Sequence, residues 1–355
     1  MKKLIALICC VVITLIFAVG CNQKPVEQTA DTSSPEGWNY SEHLDKWGLI
    51  QEYEGGKYSL NFIALDEETC ALIGYSGELP KVFKIPEETD YGRTVVELHT
   101  SYILALHDNQ PNVEEMYIPE TVTRIGDGVF YGLENLHTLS LGSKLEYIDM
   151  ENFSDAPLKR IIIENNPYYE LVEGKFFVDK RTDTLLKGLD GGKIPDNIKT
   201  IGYYAFDNIE ISEIVIPDGV ETIEFAAFGG GDMQEIEFPS SVTFIGAYVL
   251  AGSSVKSVSG GSYTVIHKSA FQKTEIESFV VPSGVTAIYQ HAFWDCPNLR
   301  YVYIPKSVTT IDHAFCGLKD CTIVFEADSL SEGIGEYWLY ESENCKVIFG
   351  GSFDN

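Results

Sequence analysis

The chain has 355 residues, 45% of them hydrophobic, so it can bury a substantial core and is not disordered as a whole. Lysine and arginine total 25 against 53 acidic residues, a net charge of −28. Such a surface repels phosphate backbones and anionic headgroups, which argues against nucleic-acid and peripheral membrane binding and keeps an exposed protein soluble.

The first element is a leader. Met1-Lys2-Lys3 is a short basic stretch, and Leu4 to Ala18 is an apolar run, with Thr14 its one polar residue, too short for a comfortable membrane span. The run ends at Ala18-Val19-Gly20-Cys21. This segment resembles a bacterial lipoprotein signal, which implies a signal peptide over 1–20, cleavage before Cys21 and lipidation of that cysteine. Ala18 departs from the usual leucine, so a retained N-terminal anchor is the alternative; both place the remainder outside the cytoplasm. Removing residues 1–20, which hold Lys2 and Lys3 and no acid, takes the charge to −30. Residues 21–37 then supply the lipidated cysteine and a polar, proline-containing tether.

From Trp38 the composition turns globular. The strand-like runs Tyr58–Ala64 and Thr69–Tyr75, separated by Asp66-Glu67-Glu68, predict a hairpin in an N-terminal cap region over 38–85. A repeat follows. Taking Ile216-Pro217-Asp218-Gly219-Val220-Glu221-Thr222-Ile223 and Ala227-Phe228 as reference, the proline slot recurs at Pro86, Pro119, Gly142, Glu164, Pro195, Pro217, Pro239, Gly261, Pro282 and Pro305. Most intervals are 21 to 23 residues and two are longer, 33 and 31. The isoleucine slot recurs at Ile125, Ile148, Ile201, Ile223, Ile245, Ile266, Ile288 and Ile311. The Ala-Phe slot recurs at residues 205–206, 227–228, 270–271, 292–293 and 314–315, with Val129-Phe130 and Val249-Leu250 as variants.

The pattern has a physical reading. Residues one and three before the proline slot are apolar (Ile216 and Ile214, Phe238 and Ile236, Ile304 and Val302), the alternation of a strand buried on one face. Proline ends that strand because it donates no ladder hydrogen bond. Val-x-x-Ile is a second short strand, and Ala-Phe packs an aromatic plug inside. One coil of about 22 residues cannot repay its ordering entropy from its own apolar groups, so coils persist only as a stacked array. The expected fold is a repeat solenoid of about ten coils, mostly β, with a parallel sheet on one face and short strands or helical turns on the other.

These residues resemble the BspA-like leucine-rich repeats of bacterial surface proteins. Shared features are the strand, then Ile-Pro-x-x-Val-x-x-Ile-Gly-x-x-Ala-Phe, then Gly-Cys-x-x-Leu; Phe293-Trp294-Asp295-Cys296-Pro297-Asn298-Leu299 is a good copy. Asn166-Pro167-Tyr168, Phe176-Phe177 and Thr184-Leu185-Leu186 are similar to the β-hairpin island of that family, and Gly92-Arg93-Thr94-Val95-Val96 to its first coil. The repeats are assigned to 86–329, with the hairpin insertion at about 165–193 and a C-terminal cap over 330–355. The resemblance implies surface display and recognition of an extracellular or host protein, or a glycan, with membrane contact through the lipid anchor only.

Five cysteines remain beyond Cys21, and their odd, sparse spacing is neither a disulfide framework nor a zinc site. Cys321-Thr322-Ile323-Val324-Phe325 and Cys345-Lys346-Val347-Ile348-Phe349 read as neighbouring strands. Cys321 and Cys345 then lie within disulfide range, although parallel in-register strands rarely meet the required dihedral; the bonded and free forms both stay open.

Catalytic signatures such as GxSxG, a Walker loop or HExxH are absent, and neither an enzyme nor a cofactor is expected. Glu213, Glu235 and Glu237 fall on outward slots of adjacent coils, where a solvated acidic stripe outweighs catalysis or weak Ca²⁺ binding. His291 and His313 both precede Ala-Phe, and two imidazoles are too few for a metal centre. The candidate binding residues are the outward strand positions Tyr117, Ile162, Val215, Val280, Tyr301 and Tyr303, with Arg300 alongside. Exposed aromatic, apolar and arginine groups are enriched at interfaces, while β-propensity alone also favours Tyr, Ile and Val in strands. An adhesin leads this reading; an envelope scaffold for the cell's own surface proteins and a glycan or small-ligand capture protein are the alternatives.

Overall fold

A computed structural model describes residues 50–54, 58–99, 112–154 and 156–352. The leader, Cys21 and the tether lie outside the described residues. The chain folds as a β-solenoid of about 12 turns with almost no helix, two more turns than the repeat count predicts. Among the described residues no helix is long and apolar enough to cross a membrane.

Each coil contributes one strand to each of two faces, mostly three or four residues long on one face and two residues long on the other. The longer strands pair in parallel: Val82–Lys84, Glu115–Tyr117, Thr138–Leu141 and Arg160–Ile163 form one four-stranded sheet, and Ser278–Val280, Tyr301–Ile304, Thr322–Phe325 and Lys346–Phe349 form another. Between them lie two two-stranded pairs, Gly192–Lys193 with Ile214–Val215 and Glu235–Phe238 with Ser257–Gly260. The short strands pair in parallel on the other side, as in Thr200–Ile201, Thr222–Ile223 and Phe244–Ile245. Their isoleucines and the Ala-Phe phenylalanines point inward: Ile201, Ile223, Ile245, Phe206, Phe228, Phe271, Phe293 and Phe315 are all buried. Coil stacking aligns the plugs, with Phe206 and Phe228 parallel at 5.2 Å and Phe293 and Phe315 at 5.0 Å.

A third hydrogen-bond ladder runs through the Ala-Phe turns. Tyr204, Phe206 and Asn208 donate their backbone N–H groups to Phe225, Ala227 and Gly229 of the next coil; Ala226, Phe228 and Gly230 donate in turn to Ala247, Val249 and Ala251. Alternate N–H groups face the neighbour because the residue before Ala-Phe is left-handed. Tyr204, Ala226, Tyr248, Ser269, His291 and His313 all have φ between 45° and 60°. For L-residues this conformation costs about 1–2 kcal/mol each, which the ladder offsets. Ala226→Gly is therefore expected to raise stability by up to about 1 kcal/mol, whereas the β-branched Ala226→Val lowers it by about 2 kcal/mol. Urea midpoints of the two variants check this; equal midpoints would refute it.

Two antiparallel units interrupt the array. Ile50–Glu54, Tyr58–Ala64 and Thr69–Gly77 form a meander whose last strand continues in parallel into Thr94–Leu98. The Asp66 carboxylate caps its turn, accepting from the N–H groups of Glu68 at 2.8 Å and Thr69 at 2.7 Å. The second meander is Tyr169–Val172, Phe176–Asp179 and Thr184–Gly188, joined in parallel to Thr200–Ile201. It is a septum: Phe177 and Leu186 pack into the N-terminal core, while Phe176, Val178 and Leu185 pack into the C-terminal core. Strands covered on both faces need unbroken apolar runs, which accounts for Phe176-Phe177-Val178 and Leu185-Leu186. Gly188 lies where the Phe206 ring leaves no room for a Cβ. Lys187 is fully buried, with its ammonium donating to the carbonyls of Phe153 and Tyr204.

Candidate recognition surface

The outward residues of the long-strand sheets form rows across the coils. In the C-terminal sheet, strand register sets Val280, Tyr303, Val324 and Ile348 in one row and Ser278, Tyr301, Thr322 and Lys346 in the next. Val280, Tyr301 and Tyr303 are thus brought together on adjacent strands. Val280 is 42% exposed and Tyr301 half-buried. Tyr303 departs from the expected open position, being only 9% exposed. Its neighbour Val324 is buried too, because the chain turns back at Gly350 and Gly351, and the Gly351 backbone packs on the Val324 side chain. The Gly351 N–H donates to the Phe325 carbonyl at 3.1 Å, fixing that crossing.

Arg300 lies beside this surface but is not free to reach outward. Its guanidinium donates to the backbone carbonyls of Pro297 at 2.8 Å, Leu299 at 3.3 Å and Lys319 at 3.4 Å, tying successive coils together. The other candidates are dispersed. Tyr117 and Ile162 belong to the N-terminal sheet with Ser140 between them. The Tyr117 hydroxyl donates to Glu115 at 2.9 Å, and the Lys84 ammonium lies over its ring. Val215 is 43% exposed, in the separate two-stranded pair beside Lys193.

The acidic stripe is broken as well. Glu235 and Glu237 pair in register with Ser257 and Ser259, while Glu213 precedes a strand of the neighbouring pair; all three are exposed. Among the described residues no group of three His, Cys, Asp or Glu side chains could hold a metal ion. His291 and His313 do occupy neighbouring coils, the N–H of His291 donating to the His313 carbonyl at 3.0 Å. Burial lowers the His291 pKa, with Lys268 and His313 adding to the effect.

Cys321 and Cys345 precede paired strands, and the Lys346 N–H donates to the Cys321 carbonyl at 2.8 Å, yet both thiols are free. Burial pushes the Cys321 thiol up to about 12. Cys296 is an internal donor, its thiol reaching the Phe271 carbonyl at 3.1 Å.

The sequence reading missed a second outward feature. On the turn edge Tyr203 and Phe225 stack at 6.4 Å, Phe225 meets Tyr248 at 5.1 Å, and Phe244, His267 and Tyr289 continue the contacts along later coils. The available signal was the aromatic or histidine close to the isoleucine slot, from one residue before it (Phe244) to three after it (Tyr248).

Parallel coils of 21 to 23 residues with strand, proline corner and aromatic plug define a leucine-rich-repeat solenoid. The model of the BspA type leucine-rich repeat region matches six copies over residues 105–180 and 199–323, more than half of the chain, and the chain belongs to that family. Among solved structures it is similar to a leucine-rich repeat protein from Eubacterium ventriosum, at 18% identity and TM-score 0.51, covering 83% of this chain and 95% of that one. It also matches a leucine-rich cell surface protein from Faecalibacterium prausnitzii, at 19% identity and TM-score 0.43, covering 86% and 96%. A third match is the pneumococcal vaccine antigen PcpA, at 12% identity and TM-score 0.44, covering 85% and 99%. No curated protein matches the chain.

Proposed function

We propose that this chain is a lipid-anchored cell-surface protein that recognises an extracellular or host protein through the outward face of its C-terminal sheet. The observation that carries the reading is the exposed Val280 with the half-buried Tyr301 and Ile348 on the same sheet, apolar and aromatic groups around the buried Tyr303 and Val324 on a backbone locked by parallel pairing. Rigid aromatic anchors on a preorganised surface lose little entropy on binding. Membership of the BspA type family and a neighbour described as a cell surface protein support display outside the cell, and the Ala18-Val19-Gly20-Cys21 segment supports lipidation at Cys21. Val215, Tyr117 and Ile162 lie apart from this strip and serve as secondary contacts at most.

The purified protein is expected to bind saturably to at least one member of a panel of extracellular-matrix proteins, with weaker or no binding to a glycan panel. Capture of partners only from the cell's own envelope would replace adhesion by a scaffold role, and binding confined to glycans would replace it by glycan capture.

A further inference from the structure

The turn edge around coils 200–250 carries aromatic rings that the core does not need. Tyr203, Phe225 and Tyr248 touch one another, at 6.4 Å between the first two and 5.1 Å between the last two, and none belongs to the buried core clusters. All three are half-buried, so each still presents part of its ring to solvent. At three other places the chain lays its own cations over partly buried rings, Arg124 4.1 Å over Tyr147, Arg181 4.6 Å over Tyr168, and Lys273 4.8 Å over Trp294, while among the described residues the exposed Tyr91, Tyr337 and Tyr340 have none. Among the described residues no lysine or arginine lies over Tyr203, Phe225 or Tyr248.

The charge beside Tyr203 is negative. Glu224 and Glu151 both act electrostatically on Tyr203. Among the described residues neither is in an ion pair. Burial pushes the Glu224 carboxyl above the usual range, and burial with Asp149 and Asp127 does the same for Glu151. Both carboxylates are therefore short of a counter-charge, on a chain of net charge −28.

We infer that Tyr203, Phe225 and Tyr248, with Glu151 and Glu224, form a second recognition surface that takes an extended, lysine- or arginine-rich segment of a partner protein. A cation over a ring face gains from the ring quadrupole, and a neighbouring carboxylate adds ion pairing. An extended segment presents same-side residues about 6.7 Å apart, close to the Tyr203–Phe225 separation of 6.4 Å. The surface is on the turn edge, separate from the long-strand sheets, and does not depend on the function proposed for them.

The test is fluorescence anisotropy of the full-length protein with a labelled ten-residue Arg-Ser peptide, a Glu-Ser peptide of equal length, and a neutral β-linked hexasaccharide. Saturable binding of the Arg-Ser peptide alone is expected. Tyr203→Ala with Phe225→Ala should weaken it at least tenfold, with the thermal midpoint and far-ultraviolet spectrum used to confirm folding. That pair leaves the net charge unchanged, so unspecific attraction to an acidic protein would survive it. Tyr203→Lys, a single change at a half-buried position, gives a second readout and should weaken binding by a similar factor through repulsion. Undiminished binding by the folded double variant overturns the inference, as does a preference for the hexasaccharide.

Discussion

Phe293→Ala is expected to destabilise the array by about 3–5 kcal/mol, among the largest effects of any single truncation in the chain. Its fully buried ring contacts Phe271 at 5.2 Å, Phe279 at 5.0 Å and Phe315 at 5.0 Å, so one side chain joins three consecutive coils. Truncation removes the transfer energy of the ring and leaves a cavity that cannot collapse, because the backbone around it is pinned by the ladder: the Phe293 N–H donates to the Ala314 carbonyl at 2.9 Å, and the Phe271 N–H to the Ala292 carbonyl at 2.9 Å. Each coil contacts only its neighbours, so weakening this interface also uncouples the coils beyond it. Urea unfolding followed by circular dichroism should show a lower midpoint and a broader or two-step transition. A loss under about 1 kcal/mol with an unchanged transition would show that the plugs are not what couples the coils.

The second large effect is expected at Asn166, where the array passes into the septum. The side chain is buried and uses both ends: its amide nitrogen donates to the carbonyls of Gly142 at 3.4 Å, Ser143 at 3.1 Å and Leu145 at 2.8 Å, and its oxygen accepts from the N–H groups of Tyr168 at 2.8 Å and Tyr169 at 2.9 Å. The chain reaches it through Asn165, whose φ of 55° turns the backbone out of the sheet. Asn166→Ala strands two buried donors and several carbonyls, a loss of about 3 kcal/mol. Asn166→Asp should be worse at neutral pH, because a carboxylate oxygen then faces carbonyl oxygens where an amide donated. The order wild type, Ala, Asp in thermal midpoint checks the account; an aspartate variant as stable as wild type would refute it. In the preceding coil Asn152 pins the chain in the same way, donating to the carbonyls of Gly126 at 2.7 Å and Asp149 at 3.0 Å.

The solenoid was legible because stacking forces one residue type into each inward slot. Ile223 can only replace Ile201 and Ile245 in the same column, and Phe228 must lie under Phe206, so the apolar spacing repeats and can be read without coordinates. The third ladder left no such trace. It depends on left-handed residues, and these are Tyr204, Ala226, Tyr248, Ser269, His291 and His313, which share no composition and include no glycine. The asparagine pins were hidden for a related reason, since each satisfies carbonyls more than twenty residues away.

The outward surface was the least legible region. Val, Ile and Tyr on a strand serve packing and recognition alike, so the sequence could not separate Val280, which is open, from Tyr303, which is not. The cover over Val324 comes from Gly350 and Gly351, beyond the repeat register altogether. Arg300 looked like an interface residue by type and turned out to be a staple between coils.

The central claim is that recognition resides on the outward face of the C-terminal sheet, and it is tested most directly by moving charge onto that face. Val280→Lys and Tyr301→Ala together should weaken binding to whichever matrix protein the chain captures by at least tenfold, while Tyr203→Ala on the turn edge leaves that affinity unchanged. The opposite pattern, full affinity in the sheet variant and loss in the turn-edge variant, would contradict the claim.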